Sequence, residues 1–336
     1  MLEALIDYAL FTTKTLTLLA LLGLFVGLLL RARHHGAHDG DGGRLEIISL
    51  NDRFDDMADG LKRATQPPKA YKRWAKAEHK AHKARNKADT AERPRLFVLD
   101  FHGDLLASEV GGLRETVSAV LQEAGESDEV LVRLDNAGGA VHEHGLAASQ
   151  LLRIRRRGIP LTVAVDRVAA SGGYLMACVA DRIVAAPFAI IGSIGVVAQL
   201  PNFHRWLEHQ GIDFELHTAG DYKRTLTLFG ENTEAGRVKL REHLEETHQL
   251  FKDFIREYRK GVDLDKVATG EYWYGEQALG LGLVDDLTTS DDYLLAARAG
   301  RDLYRLRWQA KKRPWQRLVT GIRALLSRLP LGVAVS

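Results

Sequence analysis

The chain has 336 residues, 46% of them hydrophobic, with 46 Lys+Arg against 44 Asp+Glu and a formal charge of +2. At about 150 residues per domain this makes one large domain or two small ones, with enough apolar content for a packed core, so wholesale disorder is excluded. The balanced charge excludes a generally basic nucleic-acid binder, and the single cysteine, Cys178, excludes an intrachain disulfide and a cysteine-based zinc cluster.

The first element in chain order is apolar. Thr15 to Leu30 carry no charge, and extending back to Ala9 gives 22 residues interrupted only by Lys14. A helix needs about 20 apolar residues to cross a bilayer, and a lysine near one end reaches the headgroups, so a transmembrane anchor is expected within residues 1–33. A cleaved signal peptide fits less well, because Glu3 and Asp7 stand where a basic cluster belongs and no small-x-small site follows. A buried core helix is the plain alternative. Arg31 and Arg33 tip the charge count toward a cytoplasmic body, with the periplasmic face of an inner membrane still open.

Residues 34–93 read as a linker and a charged helical spacer. His34, His35 and His38 lack ordered carboxylate or cysteine companions, so a solvated linker is expected there and no metal. Lys69 to Arg93 hold nine Lys/Arg, three Asp/Glu and seven Ala, which predicts an exposed helix. Its basic face and Trp74 suit anionic headgroups or a protein partner equally.

From 94 to 310 strand and helix patterns alternate. Strands are predicted over 96–101, 129–135, 160–166 and 181–187. Helices are predicted over about 109–123, from the Asn136-Ala137-Gly138-Gly139 turn to about Arg157, and from Ser171 to near Ala180. This alternation argues for an α/β domain with a mainly parallel sheet. A long helix is expected over roughly 233–259, with a cap at Asn232-Thr233 and one buried stripe of Leu240, Leu244, Thr247, Phe251, Phe254 and Tyr258. In residues 311–336, Trp315, Leu318, Val319, Ile322, Leu325, Leu326 and Leu329 share one helical face, with Arg317, Arg323 and Arg328 on the rest. Such a basic amphipathic helix and tail suits a membrane surface or a neighbouring subunit's groove.

Chemistry is expected at the strand ends. Ser171 stands between a strand and a helix of small residues, Gly172-Gly173-Tyr174, where a substrate backbone can approach and the Gly172 N–H can meet a developing oxyanion. A capping serine is the plain alternative. The Gly138-Gly139 turn offers a second backbone donor at the same sheet edge. No convincing His–Asp pair completes a triad: His142 and His144 flank Glu143 on what reads as a polar helix face, and nothing orients His217. Lysine is the other base, and Lys223 is the candidate, though a surface charge is its ordinary reading. Cys178 lies too deep in its helix to act as a thiol nucleophile, and Tyr174 and Met176 read as packing.

Three ordered motifs carry a resemblance: Ala170-Ser171-Gly172-Gly173-Tyr174, Gly192-Ser193-Ile194-Gly195-Val196 and Ala219-Gly220-Asp221-Tyr222-Lys223. With the later Gly275-Glu276-Gln277-Ala278 and Gly282-Leu283-Val284-Asp285, they resemble the signal peptide peptidase A family of Ser–Lys proteases over roughly 95–300. The resemblance implies an α/β fold of the ClpP/crotonase type, built of β-β-α turns, so that 94–310 is a peptidase domain. It implies Ser171 as nucleophile, Lys223 as general base, Ser193 as the hydroxyl that orients the lysine, and Gly139 and Gly172 as oxyanion-hole donors. It further implies a peptide or protein substrate, no cofactor, no nucleic acid, membrane attachment through the N-terminal helix, and a homo-oligomer. One departure matters. The family usually has Ser-Pro-Gly-Gly at the oxyanion turn, and this chain has Asn136-Ala137-Gly138-Gly139. Losing the proline is expected to leave the turn less preorganised, while both glycines remain. A crotonase-like acyl-CoA enzyme and an inactive assembly scaffold of the same fold are the alternatives.

Overall fold

A chain whose apolar residues alternate between short strands and helices has to bury both faces of its sheet, and the element order reflects this. The computed structural model describes residues 12–17, 19, 23, 43–88 and 93–309. The chain divides into two units, Met1–Gly43 and Arg44–Ser336. In the first, residues 12–17, 19 and 23 are helical. The rest of the expected anchor lies outside the described residues, as do the histidines at 34, 35 and 38 and the expected helix of 311–336. Among the described residues no helix is long and apolar enough to cross a membrane.

The second unit is built on a sheet with ten strands among the described residues: β1 (Arg44–Ser49), β2 (Arg95–Gly103), β3 (Glu129–Asn136), β4 (Leu161–Val165), β5 (Val168–Ala170), β6 (Arg182–Ala185), β7 (Ile190–Gly192), β8 (Tyr272–Tyr274), β9 (Asp286–Leu287) and β10 (Asp302–Gln309). The main path runs β1-β10-β2-β3-β4-β6-β9, and β5 branches from β3 to pair with β7, which pairs with β8. Only β1–β10 and β7–β8 are antiparallel among these pairs, so the mainly parallel sheet expected from the alternation is present.

Side chains along a strand alternate between faces, and both faces are apolar here. Phe97, Leu99 and Phe101 of β2, with Val130, Val132 and Leu134 of β3, pack with helices α3 (Val110–Glu123) and α4 (Val141–Arg156). Leu96, Val98, Leu131 and Ala164 face the other way, toward Leu50 of α1 (Leu50–Thr65) and Leu294 of α10 (Ser290–Ala297). Between these helices the chain also forms α2 (Pro68–Ala88), α5 (Gly172–Ala177), α6 (His204–His209), α7 (Glu234–Tyr258), α8 (Leu264–Val267) and α9 (Gly275–Gly280).

Three differences from the sequence reading have local causes. Residues 44–65, which composition alone places in a linker, supply β1 and α1, and Asn51 ties them to the sheet by accepting from the Leu303 N–H at 2.7 Å. Helix α2 is the expected basic helix, but its Trp74 lies under the Lys62 ammonium of α1, 3.8 Å from the ring centroid. Helix α7 is capped by Thr233 as expected, yet its stripe is only half covered: Leu240, Leu244 and Thr247 are half-buried, and Ile255, outside the expected stripe, is the residue fully enclosed.

Candidate active site

Strand β5 ends at Ala170 and the next residue leaves the sheet sharply. Ser171 has φ 51° and ψ −119°, a strained conformation for a non-glycine residue. Its N–H donates to the Gly192 carbonyl at 2.8 Å, and α5 begins at once with two buried glycines. A capping serine sits in the extended region and accepts from a helical N–H. Ser171 does neither, so its half-buried hydroxyl is not spent on capping.

Strand β7 lies beside β5 in parallel, with Ala170 opposite Gly192. Ser193 therefore leaves the sheet next to Ser171, and it too has a positive φ, of 49°. Its N–H donates to Glu271 O at 2.7 Å and its hydroxyl to Gly270 O at 3.3 Å.

The glycine turn after β3 closes the third side. Gly138 has φ 90°, and a Cβ added there would fall 2.7 Å from the Gly172 nitrogen and 2.8 Å from Ser171 Cβ, so only glycine lets the turn seat against the serine. The Gly138 N–H is taken by Asn136 Oδ1 at 2.8 Å. Among the described residues the Gly139 N–H has no partner. Gly172 opens α5, where a helix leaves its leading N–H groups unpaired. Of the expected residues, then, Ser171, Ser193, Gly172 and Gly139 converge on one sheet edge.

Lys223 is not joined to them in the single chain. It is exposed, in the long stretch between β7 and α7, and its backbone N–H donates to Gly220 O at 3.1 Å. Among the described residues no hydrogen bond links its ammonium to Ser171 or Ser193. In the same stretch Phe203, Phe214 and Phe229 form an aromatic cluster, and these three, with Trp206 and Tyr222, are exposed.

Two buried groups were misread or missed. His142 is exposed beside Glu143 as expected, but His144 is fully enclosed and so is not on a polar face. The signal was available: His144, Ala147, Ala148 and Leu151 recur at helical spacing and make the buried side of α4. Asn136, also fully buried, read only as a turn residue. Tyr174 is packed as expected, its hydroxyl donating to Leu283 O at 3.0 Å. Burial pushes the Cys178 thiol far above its ordinary range, which makes it a poor nucleophile. Asp285 holds the fold together rather than the site: it accepts from the Ile183 N–H at 2.7 Å and pairs with Arg259.

Two family models match the chain, Peptidase family S49 N-terminal over residues 3–151 and Peptidase family S49 over residues 153–304. A relative from Haemophilus influenzae named "Probable protease SohB" is 47% identical over 321 residues, covering 92% of this chain and 90% of its own. Another of that name from Buchnera aphidicola subsp. Acyrthosiphon pisum is 54% identical over 241 residues, 72% of each chain. Among solved structures, a 1510-N membrane-bound stomatin-specific protease aligns with TM-score 0.41 at 15% identity, over 61% of this chain and 85% of that one. The matches to the two family models together span nearly the whole body, and with relatives this similar along most of its length the chain belongs to peptidase family S49.

Proposed function

We propose that the protein is a membrane-tethered serine endopeptidase of ClpP/crotonase type that hydrolyses peptide bonds with a Ser171–Lys223 dyad. The observation that carries the reading is Ser171: a strained serine with an uncommitted hydroxyl, seated against a glycine turn that retains a spare N–H. Strain of this kind is expected where a fold holds a reacting group in place.

In this mechanism Lys223 in its neutral form takes the proton from Ser171 Oγ, and the alkoxide attacks the peptide carbonyl. The Gly139 and Gly172 N–H groups receive the oxyanion, because the Gly138 N–H is already engaged by Asn136. The protonated lysine then donates to the leaving amine, and water activated by the same lysine releases the acyl group. Ser193 turns its hydroxyl from Gly270 O to the lysine amine.

A free lysine has a pKa near 10.4, so at pH 7.4 only about one in a thousand is neutral, a handicap of roughly 4 kcal/mol. Desolvation has to remove that handicap. Lys223 is exposed in the single chain, so the working unit is a homo-oligomer in which the stretch carrying it packs against a neighbour. The exposed Val197, Trp206 and Tyr222 of that stretch, and the half-covered stripe of α7, support this. The substrate is an unfolded or membrane-released peptide, which the exposed Leu105, Leu106 and Val141 beside the glycine turn suit. The apolar run of residues 9–30 is the tether to the inner membrane.

A fluorophosphonate probe should label the wild type and leave Ser171→Ala unlabelled, with casein cleavage lost in Ser171→Ala and Lys223→Ala. Equal labelling of Ser171→Ala would remove the nucleophile and with it this reading.

A further inference from the structure

Beside the serine, two polar side chains outside the expected machinery meet in the core. Asn136 ends β3 and His144 lies in the first turn of α4, and both have 0% exposure. Space has been cleared for them. A Cβ at Gly103 would fall 2.1 Å from Asn136 Cγ, and one at Gly172 would fall 2.5 Å from His144 Cγ.

Buried amides and imidazoles cost free energy unless their polar atoms are matched. These are matched to each other and to the glycine turn. The Gly138 N–H donates to Asn136 Oδ1 at 2.8 Å, His144 Nε2 lies 3.2 Å from the same oxygen, and Asn136 Nδ2 donates to Met176 Sδ at 3.3 Å. His144 Nδ1 is 3.0 Å from Ala140 O. A backbone N–H only donates, so the atom it meets in Asn136 is the oxygen. His144 Nε2 faces that oxygen and Nδ1 faces the Ala140 carbonyl, two acceptors, so each contact is a hydrogen bond only where its nitrogen carries the hydrogen, and both are made together only by the doubly protonated ring.

We propose that Asn136 and His144 are positioning residues of the oxyanion hole: His144 Nε2–H anchors the Asn136 amide, and that amide holds Gly138 so that the Gly139 N–H is presented at Ser171. The turn needs such a support. It contains two glycines and no proline, and a donor stabilises a developing charge fully only when it is fixed beforehand. The His144 ring also rests on Gly172, so one side chain touches the segments that bear both proposed donors. The Asn136 amide supplies the stiffness that the absent proline would have given.

The kinetic arm of this inference rests on the endopeptidase reading, and a second arm does not. For the first, kcat and KM for a peptide substrate are measured in wild type, Asn136→Ala, His144→Phe, His144→Gln and His142→Ala, with thermal unfolding confirming that each is folded. Asn136→Ala and His144→Phe should each lower kcat about tenfold or more while KM moves less than about twofold, as expected for a support of transition-state donors. The double variant should lose no more than the worse single one, because the two act as a unit. His144→Gln, which keeps a donor, should recover most of kcat, and His142→Ala should match wild type. Unchanged kcat in folded Asn136→Ala and His144→Phe, or losses that multiply, would overturn the proposal. For the second arm, hydrogen exchange at the Gly138 amide, whose N–H donates to Asn136 Oδ1, should be slow in wild type and fast in both variants. Unchanged exchange in both would overturn the brace whatever the activity, whereas a wild type that shows this exchange pattern but hydrolyses nothing would retain the brace and sink the endopeptidase.

Discussion

At the scale of single residues, the site is defined by what backbone conformation and close approach permit. Ser171 adopts a positive φ without glycine's freedom, and the folded body holds it there. Replacing it with alanine should leave the protein folded and lower kcat by about 10³-fold or more, read by peptide hydrolysis beside a thermal melt. Gly172 is constrained differently, because a Cβ there meets the buried His144 ring at 2.5 Å. Gly172→Ala should destabilise by about 1–3 kcal/mol through overpacking and also reduce activity, and a denaturant midpoint equal to wild type would contradict that contact. Ser171, Gly172 and Ser193 were legible because they sit in short ordered motifs, and the Gly138-Gly139 turn because a glycine pair follows a strand. Asn136 and His144 were not, because a buried polar pair satisfied by tertiary contacts leaves no local pattern beyond a histidine on an apolar stripe.

At the scale of elements, legibility followed length. The strands over 95–103 and 129–136 are eight or nine residues of buried apolar character, and periodicity finds them. Strands β5, β7 and β8 have three residues each, too few to show a period, although β5 and β7 aim the two serines. Strand β1 was hidden because a half-exposed edge strand reads like a polar linker. The start of β2 carries its own prediction. Asp128 accepts from the Arg95 backbone N–H at 2.7 Å and from the Arg95 guanidinium, and also from the Gly125 N–H at 2.8 Å. Burial raises its pKa, but these bonds outweigh burial and hold the carboxyl below its ordinary value. A depressed folded pKa adds stability above the unfolded value, and that stability is lost as pH falls through the folded one. Asp128→Asn should therefore cost about 2 kcal/mol at neutral pH. Its unfolding curve should converge with that of wild type as the solution is acidified below the ordinary carboxylate range, and a constant gap at every pH would contradict this account.

At the scale of the whole molecule, the single chain leaves Lys223 exposed and unjoined to Ser171. In the oligomer proposed above, the exposed Lys223, the exposed aromatics of the same stretch and the half-covered α7 face would meet a second surface. Specific activity per chain should fall on dilution, in step with loss of the oligomer followed by light scattering. Trp206→Glu, which changes an exposed side chain, should disperse the assembly and abolish cleavage while leaving the thermal midpoint of the chain close to wild type. A dispersed variant that cleaves at the wild-type rate would show that Lys223 reaches Ser171 within one chain. The family resemblance marked Lys223 as a motif residue but carried no information about its solvent environment, which depends on what packs over it.

The pairing of β1 with β10 has a wider consequence. Arg44 lies opposite Gln309, so the polypeptide enters and leaves the body side by side at one corner of the sheet. Anything joined before Arg44 or after Gln309 is attached at one shared doorway. Clipping between Gly43 and Arg44 would free the body with its border intact, whereas clipping after Ser49 would bare the rim of β10 and invite foreign strands to zip onto it.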